Sequence, residues 1–252
     1  MISDIKNRIF FNLRNKLQLS RKSYKPPYEQ KNNLHLEDYK YLFNKYNLTN
    51  LESKYSQSLF NIQLYHLQLL DKFINHFLTK QTCLHILDAG CDNWHYLPSL
   101  WFWAKSICDN IRIDGIELDA WKMYINGHTK VSFALGIISE YANVNYIHGN
   151  VLNYHQSPNF IFSSLPFIEN TEAKHWHLPK KYFKPQQYLQ HLWDILTPNG
   201  LLMVINVDEE EWLIQKNLFQ KLNINLLIAG EPFVSNLCPY PSIRHISIAK
   251  KL

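Results

Sequence analysis

At 252 residues, 46% hydrophobic and 19% charged, the chain is long enough for one large domain, or for a core of about 170 residues with an extension, and too apolar to be disordered. Its net charge of +5 is uneven: Lys6, Arg8, Arg14, Lys16, Arg21, Lys22 and Lys25 against Asp4 alone put +6 on residues 1–25. That leaves −1 on the other 227 residues and removes the basic balance as an argument for nucleic-acid binding by the body.

From the N-terminus, Ile2, Ile5, Ile9, Leu13 and Leu17 recur at three- and four-residue spacing beside Phe10. The spacing predicts an amphipathic helix whose apolar stripe packs on the body, with basic residues on the other face. The start is basic but lacks the apolar core and small-residue cleavage site of a signal peptide, and no apolar run reaches the length of a membrane span. Lys25-Pro26-Pro27-Tyr28 ends the helix and opens a polar linker to about Leu34. Helices follow over Glu37 to Tyr46 and Glu52 to Leu78, the second with Leu59, Ile62, Leu67, Leu70, Ile74 and Phe77 as its stripe. Residues 1–80 therefore read as a helical N-terminal extension.

Over residues 81–252 the texture changes to short strands alternating with helices, the mark of a parallel sheet. Strands are predicted at 84–88, 112–116, 144–148, 159–163 and 201–206, with helices at about 95–107, 120–141 and 185–197. Pro198, Asn199 and Gly200 make the turn into the fifth strand. A helix over 209–222 and strands at 224–229 and 243–249 complete the chain. The four cysteines, Cys83, Cys91, Cys108 and Cys238, show neither CxxC nor Cys/His spacing, so no zinc motif is recognisable and the thiols read as reduced and cytoplasmic.

Two of these strands end in acids. Leu84-His85-Ile86-Leu87 runs into Asp88-Ala89-Gly90, and Ile113-Asp114-Gly115-Ile116 runs into Glu117. Ligands bind outside the carboxyl ends of strands in α/β sheets, so one carboxylate can face an amine and the other the two hydroxyls of a ribose. His148-Gly149-Asn150-Val151 follows the third strand, and the fourth opens into Ser163-Ser164-Leu165-Pro166-Phe167. With Leu87-Asp88-Ala89-Gly90-Cys91, Gly115-Ile116-Glu117-Leu118-Asp119 and the turn Leu196-Thr197-Pro198-Asn199-Gly200-Leu201, this order resembles the class I S-adenosylmethionine-dependent methyltransferases over about residues 84–250.

The resemblance implies an α/β fold: a seven-stranded, mostly parallel, Rossmann-like methyltransferase sheet of order 3-2-1-4-5-7-6, flanked by helices. It also implies S-adenosylmethionine as cofactor, held by Asp88, Gly90, Cys91, Glu117, Leu118, Asn150, Val151 and Ser163. In this scheme Asp88 takes the ammonium, Glu117 accepts from the ribose diol, Asn150 meets the adenine amine, and the backbone N–H groups of Asn93 to His95 meet the carboxylate. Methyl transfer is an in-line displacement that demands alignment more than a dedicated motif. His175 and His177, in the loop after strand four, are the candidate general bases, beside the plain reading of a surface loop. The family's Gly-x-Gly-x-Gly turn stands here as Gly90-Cys91-Asp92-Asn93-Trp94, which puts charge and bulk where backbone usually approaches ligand.

No Asn/Asp-Pro-Pro-Tyr motif follows strand four, which speaks against a methylase of exocyclic amines in nucleic acids and leaves a small-molecule, lipid or protein acceptor. The altered turn supports a different reading, a non-catalytic scaffold or binding protein on the same fold. A nicotinamide-dependent dehydrogenase needs Gly-x-Gly-x-x-Gly, where Gly90, Asp92 and His95 stand. The basic N-terminal helix reads as a cap over the cleft, as an anchor for peripheral membrane contact through residues 1–25, or as an arm for RNA or another partner.

Overall fold

The computed structural model describes residues 2–19, 23–24, 37–48, 51, 53–78, 82–170, 176–237 and 243–252, without the side chains of residues 2, 3 and 37–39. The expected linker at Lys25 to Leu34, His175 and Cys238 lie outside these residues. Three helices come first: α1 (Ile2–Leu17), α2 (Glu37–Tyr46) and α3 (Gln57–Phe73). Then follow β1 (Leu84–Ala89), α4 (Leu97–Ile107), β2 (Ile111–Glu117), α5 (Lys130–Ile138), β3 (Val144–His148) and β4 (Phe160–Ser164). The chain continues through α6 (Pro185–Ile195), β5 (Leu201–Asn206), α7 (Glu209–Lys221), β6 (Leu226–Phe233) and β7 (Arg244–Lys250).

The strands form one sheet in the expected order, β3-β2-β1-β4-β5-β7-β6. The first five are parallel, and β7 lies antiparallel between β5 and β6. Strand side chains alternate between faces, so one strand feeds two cores. Phe160 and Phe162, with Leu201, Met203 and Ile205, point into a core shared with α2, α3 and α4. Ile161, Leu202 and Val204 point the other way, into a core closed by Leu189 and Leu192 of α6 and by Trp212 and Phe219 of α7. Strands that are apolar on both faces are the signature of a sheet sandwiched between helices. Among the described residues, no helix is long and apolar enough to cross a membrane.

Two expectations need correction. The helix expected over 120–141 is only α5, because two stop signals precede it. Gly127 (φ +77°) closes a turn in which Met123 bridges to Thr129, and Thr129 then caps α5 through a reciprocal pair with Ser132. The second correction concerns α1, whose stripe faces outward: Ile5 is 46% exposed, Ile9 57%, Leu13 50% and Leu17 52%. The helix docks instead by its opposite face, where Phe11, 3% exposed, meets Leu118, Leu178, Tyr182 and Phe183.

Polar contacts decide that choice. Arg14 donates twice to Asp119, at 2.6 and 2.5 Å, the bidentate geometry a guanidinium favours. Asn15 pairs with His148 at 2.6 Å, and Asp4 accepts from the Lys180 N–H at 3.1 Å.

Candidate functional site

The loop from β1 to α4 carries three residues of positive φ, Gly90 (+87°), Asp92 (+52°) and Trp94 (+58°). Left-handed backbone is unusual for Asp and more so for a large aromatic, so the surroundings must hold it. They do. The N–H groups of Gly90 and Cys91 both donate to the Ile116 carbonyl, and Tyr146 donates to the Asp92 carbonyl at 2.7 Å. Trp94 turns away from the strand ends and lies fully buried against Gly115, where an added Cβ would stand 2.5 Å from its ring.

Trp94 also ties down Asp88. Its indole Nε1 donates to Asp88 Oδ2 at 2.7 Å, and the Tyr96 hydroxyl donates to Oδ1 at 3.1 Å. Burial pushes the Asp88 carboxyl up to about 7, against the lowering effect of the Tyr96 and Trp94 bonds. Asp88 is therefore an internal strut that never reaches the strand-end surface.

The charge beside that surface belongs to a different group. Lys130, the first residue of α5, lies buried with its Nζ 2.6 Å from Asp92 and 3.0 Å from Glu117. Burial alone would lower the ammonium's pKa, but the two carboxylates outweigh it and hold the lysine charged. Asp92 is lowered in turn by Lys130 against its own burial. Glu117 also accepts from the N–H of Asp92 at 3.0 Å and of Asp119 at 2.9 Å. A carboxylate offers about four acceptor positions, so Glu117 keeps one open, on Oε2.

Outside the C-terminal ends of the strands lies a cavity of about 550 Å³, within the range of small-molecule sites. Of the residues expected there, Gly90, Glu117, Leu118, Asn150 and Val151 line it. Asp88, Cys91 and Ser163 are fully buried behind it. Ser163 is screened by Tyr188, whose hydroxyl donates to the Ala89 carbonyl and pairs with Ser163 at 2.7 Å. Asn150 spends one acceptor position on the Leu152 N–H at 3.1 Å.

His177 is exposed and does not line the cavity. Its neighbour Trp176 does, beneath which Lys122 Nζ lies 4.5 Å and Lys130 Nζ 6.0 Å from the ring centroid. Packed there, Lys122 is lowered by burial and by Lys130.

Toward β5 and β7 the same cavity is lined by His95, expected to contribute only its backbone N–H, and by residues that sequence reasoning did not single out: Tyr65 and His66 of α3, Tyr96, Glu211 and Arg244. His66 stacks on Tyr96 with ring centroids 4.2 Å apart, and burial pushes it down to about 3, so it is neutral. His95 is lowered by burial as well. The Asn93 amide donates to Tyr124 and its oxygen faces His95 Nδ1, which therefore carries the ring proton. Nε2 of His95 is left as a buried lone pair with no partner among the described residues. Sequence offered little warning, since α3 supplies its two residues from outside the stretch that resembles the family.

No protein-family model matches the chain, and no curated protein matches it in sequence. Solved structures match its fold. A SAM-dependent methyltransferase from Aquifex aeolicus is 16% identical over 72% of this chain and 89% of its own, with a TM-score of 0.51. A methyltransferase from Pyrococcus furiosus is 17% identical over 76% of this chain and 82% of its own, also at 0.51. The [4+2]-cyclase SpnF is 13% identical over 73% and 80%, at 0.50. The fold is that of the class I methyltransferases, and the cyclase marks that this fold also carries other chemistry.

Proposed function

We propose that the chain is an S-adenosylmethionine-dependent methyltransferase. The observation that carries this reading is Glu117, a strand-end carboxylate facing a cavity at the sheet's C-terminal edge, with an acceptor position still open. The donor set suits the cofactor. Gly90 and Gly149 have nothing within 4 Å of where a Cβ would stand, so ligand can approach the backbone there. Leu118 and Val151 offer apolar walls to a purine, and Asn150 an amide to its amine. Asp92, on the cavity side of its loop, is better placed than Asp88 to meet an ammonium.

When bound, the cofactor supplies a methyl group activated by its sulfonium. The chain has to hold an acceptor in line, keep water out and receive a proton. Tyr65, Tyr96 and Tyr188 wall the acceptor side, and His95 Nε2 is an unprotonated lone pair available for the proton. The slightly acidic body argues for a small-molecule, lipid or protein acceptor over a nucleic acid.

Calorimetric titration with S-adenosylhomocysteine tests the reading. Saturable binding with a rise in melting temperature is expected. Absence of heat and of any melting shift at millimolar ligand overturns it. The rival, a non-catalytic binding protein, draws its support from Lys130, which already occupies Glu117.

A further inference from the structure

An amphipathic helix on a protein surface ordinarily turns its apolar stripe inward. In α1 the order is reversed and the reversal is fastened in place. Phe11, Arg14 and Asn15 hold one face to the body, while Ile5, Ile9, Phe10, Leu13 and Leu17 stand in solvent along the other. Lys6 and Lys16 are exposed and share that outer face, seven residues from Leu13 and Ile9 respectively, and Arg8 is exposed beside it. Two more exposed apolar residues, Met123 and Ile125, lie in the segment between β2 and α5 that also holds Asp119, the residue to which Arg14 is anchored.

We propose that the outer face of α1 docks on a lipid surface bearing anionic headgroups. Lysines set among isoleucines and leucines suit a bilayer interface, where the apolar stems enter and the ammonium groups reach back to the headgroups. Lys6 and Lys16 on that face, with Arg8 beside it, supply the charge complementarity. A second copy of the chain fits the face poorly, because pairing two such segments brings like charges together. This inference does not rest on methyl transfer.

Co-sedimentation of the full chain with vesicles tests it, comparing phosphatidylcholine alone with phosphatidylcholine containing phosphatidylserine. Binding to the anionic vesicles, weakened by salt, is expected, with at least about tenfold loss in Ile9→Glu/Leu13→Glu and unchanged melting. Lys6→Glu/Lys16→Glu leaves the stripe intact and should lose binding to a similar degree, which covers the case that the first variant misfolds. The proposal is overturned by no binding to either vesicle, by equal binding to both, or by full binding of both variants. A dimer that forms through α1 and excludes vesicles overturns it as well.

Discussion

The Lys130 ammonium lies 3.0 Å from the Glu117 carboxylate, so the acid at the end of β2 is already compensated before any ligand reaches the cavity. Asp92 completes the group at 2.6 Å. Replacing the lysine with an apolar residue strands the buried Glu117 carboxylate beside the partly exposed one of Asp92. Lys130→Met should cost about 3–5 kcal/mol in urea unfolding, the range for breaking a buried ion pair. Adding Glu117→Gln to that variant should recover part of the loss; a double variant no more stable than Lys130→Met alone would contradict the shared-charge account.

Glu117 and Asp88 should separate in binding experiments. Glu117 faces the cavity and Asp88 is sealed behind Trp94 and Tyr96. Glu117→Gln should weaken S-adenosylhomocysteine by about 1.5–3 kcal/mol, as expected for hydrogen bonds to a charged group. Asp88→Asn should change the affinity by less than Glu117→Gln does. The reverse ranking in calorimetry would return the ligand contact to Asp88.

Asp88 should appear in the pH dependence of stability. Its folded-state pKa is raised from the usual carboxylate value to about 7, so between those values the native state binds more protons than the unfolded chain. Its contribution to stability is therefore full below about pH 4, falls as pH rises, and levels off above about 7. Asp88→Asn, which keeps an acceptor for Trp94, should remove this slope and raise the melting temperature relative to wild type at pH 8 more than at pH 4. A constant difference between the two proteins across that window would refute the assignment.

Gly115 should tolerate no side chain. A Cβ there meets the rigid Trp94 ring at 2.5 Å, and Trp94 cannot retreat without releasing Asp88. Gly115→Ala should destabilise the fold by about 1–3 kcal/mol, the usual cost of overpacking, while Gly149→Ala, with open space before it, should cost far less. Denaturant midpoints of the two variants give the comparison directly.

Arg14 should control how firmly α1 is held. Arg14→Ala removes both bonds to Asp119, and Arg14→Lys cannot restore the bidentate pair. Amide exchange in residues 4–17 should accelerate in both variants, with β1, β4 and β5 unchanged. Unaltered protection of α1 would mean that Phe11, Asn15 and Asp4 anchor it without Arg14.

The sheet was legible because its signals are local. Short continuous apolar runs mark Phe160–Ser164 and Leu201–Asn206, and the acids closing β1 and β2 mark the edge where a ligand belongs. What escaped depends on partners far away in sequence. Periodicity shows that α1 has two faces, but only Asp119, 105 residues on, decides which one docks. The destination of Trp94 depends on a missing side chain at Gly115, on the neighbouring strand. Lys130 sits at an ordinary helix start, and nothing near it announces two carboxylates. The overrun of the helix at 120–141 had a local remedy, the Thr129/Ser132 cap and the Gly127 turn, hidden by the apolar pattern around them.

The anchor of α1 reaches further than its own helix. Arg14 holds Asp119, the Asp119 N–H holds Glu117, and Glu117 shares Lys130 with Asp92. One bonded chain thus joins a surface helix to the carboxylates of the cavity. Such a joint obeys thermodynamic reciprocity: whatever factor occupancy of the cavity applies to the affinity of α1 for its surface, that surface returns to the cavity. Where that factor differs from one, the affinity measured for the free protein in dilute solution and for the protein resting on a surface are two different constants, and their ratio is the coupling carried from Arg14 to Lys130.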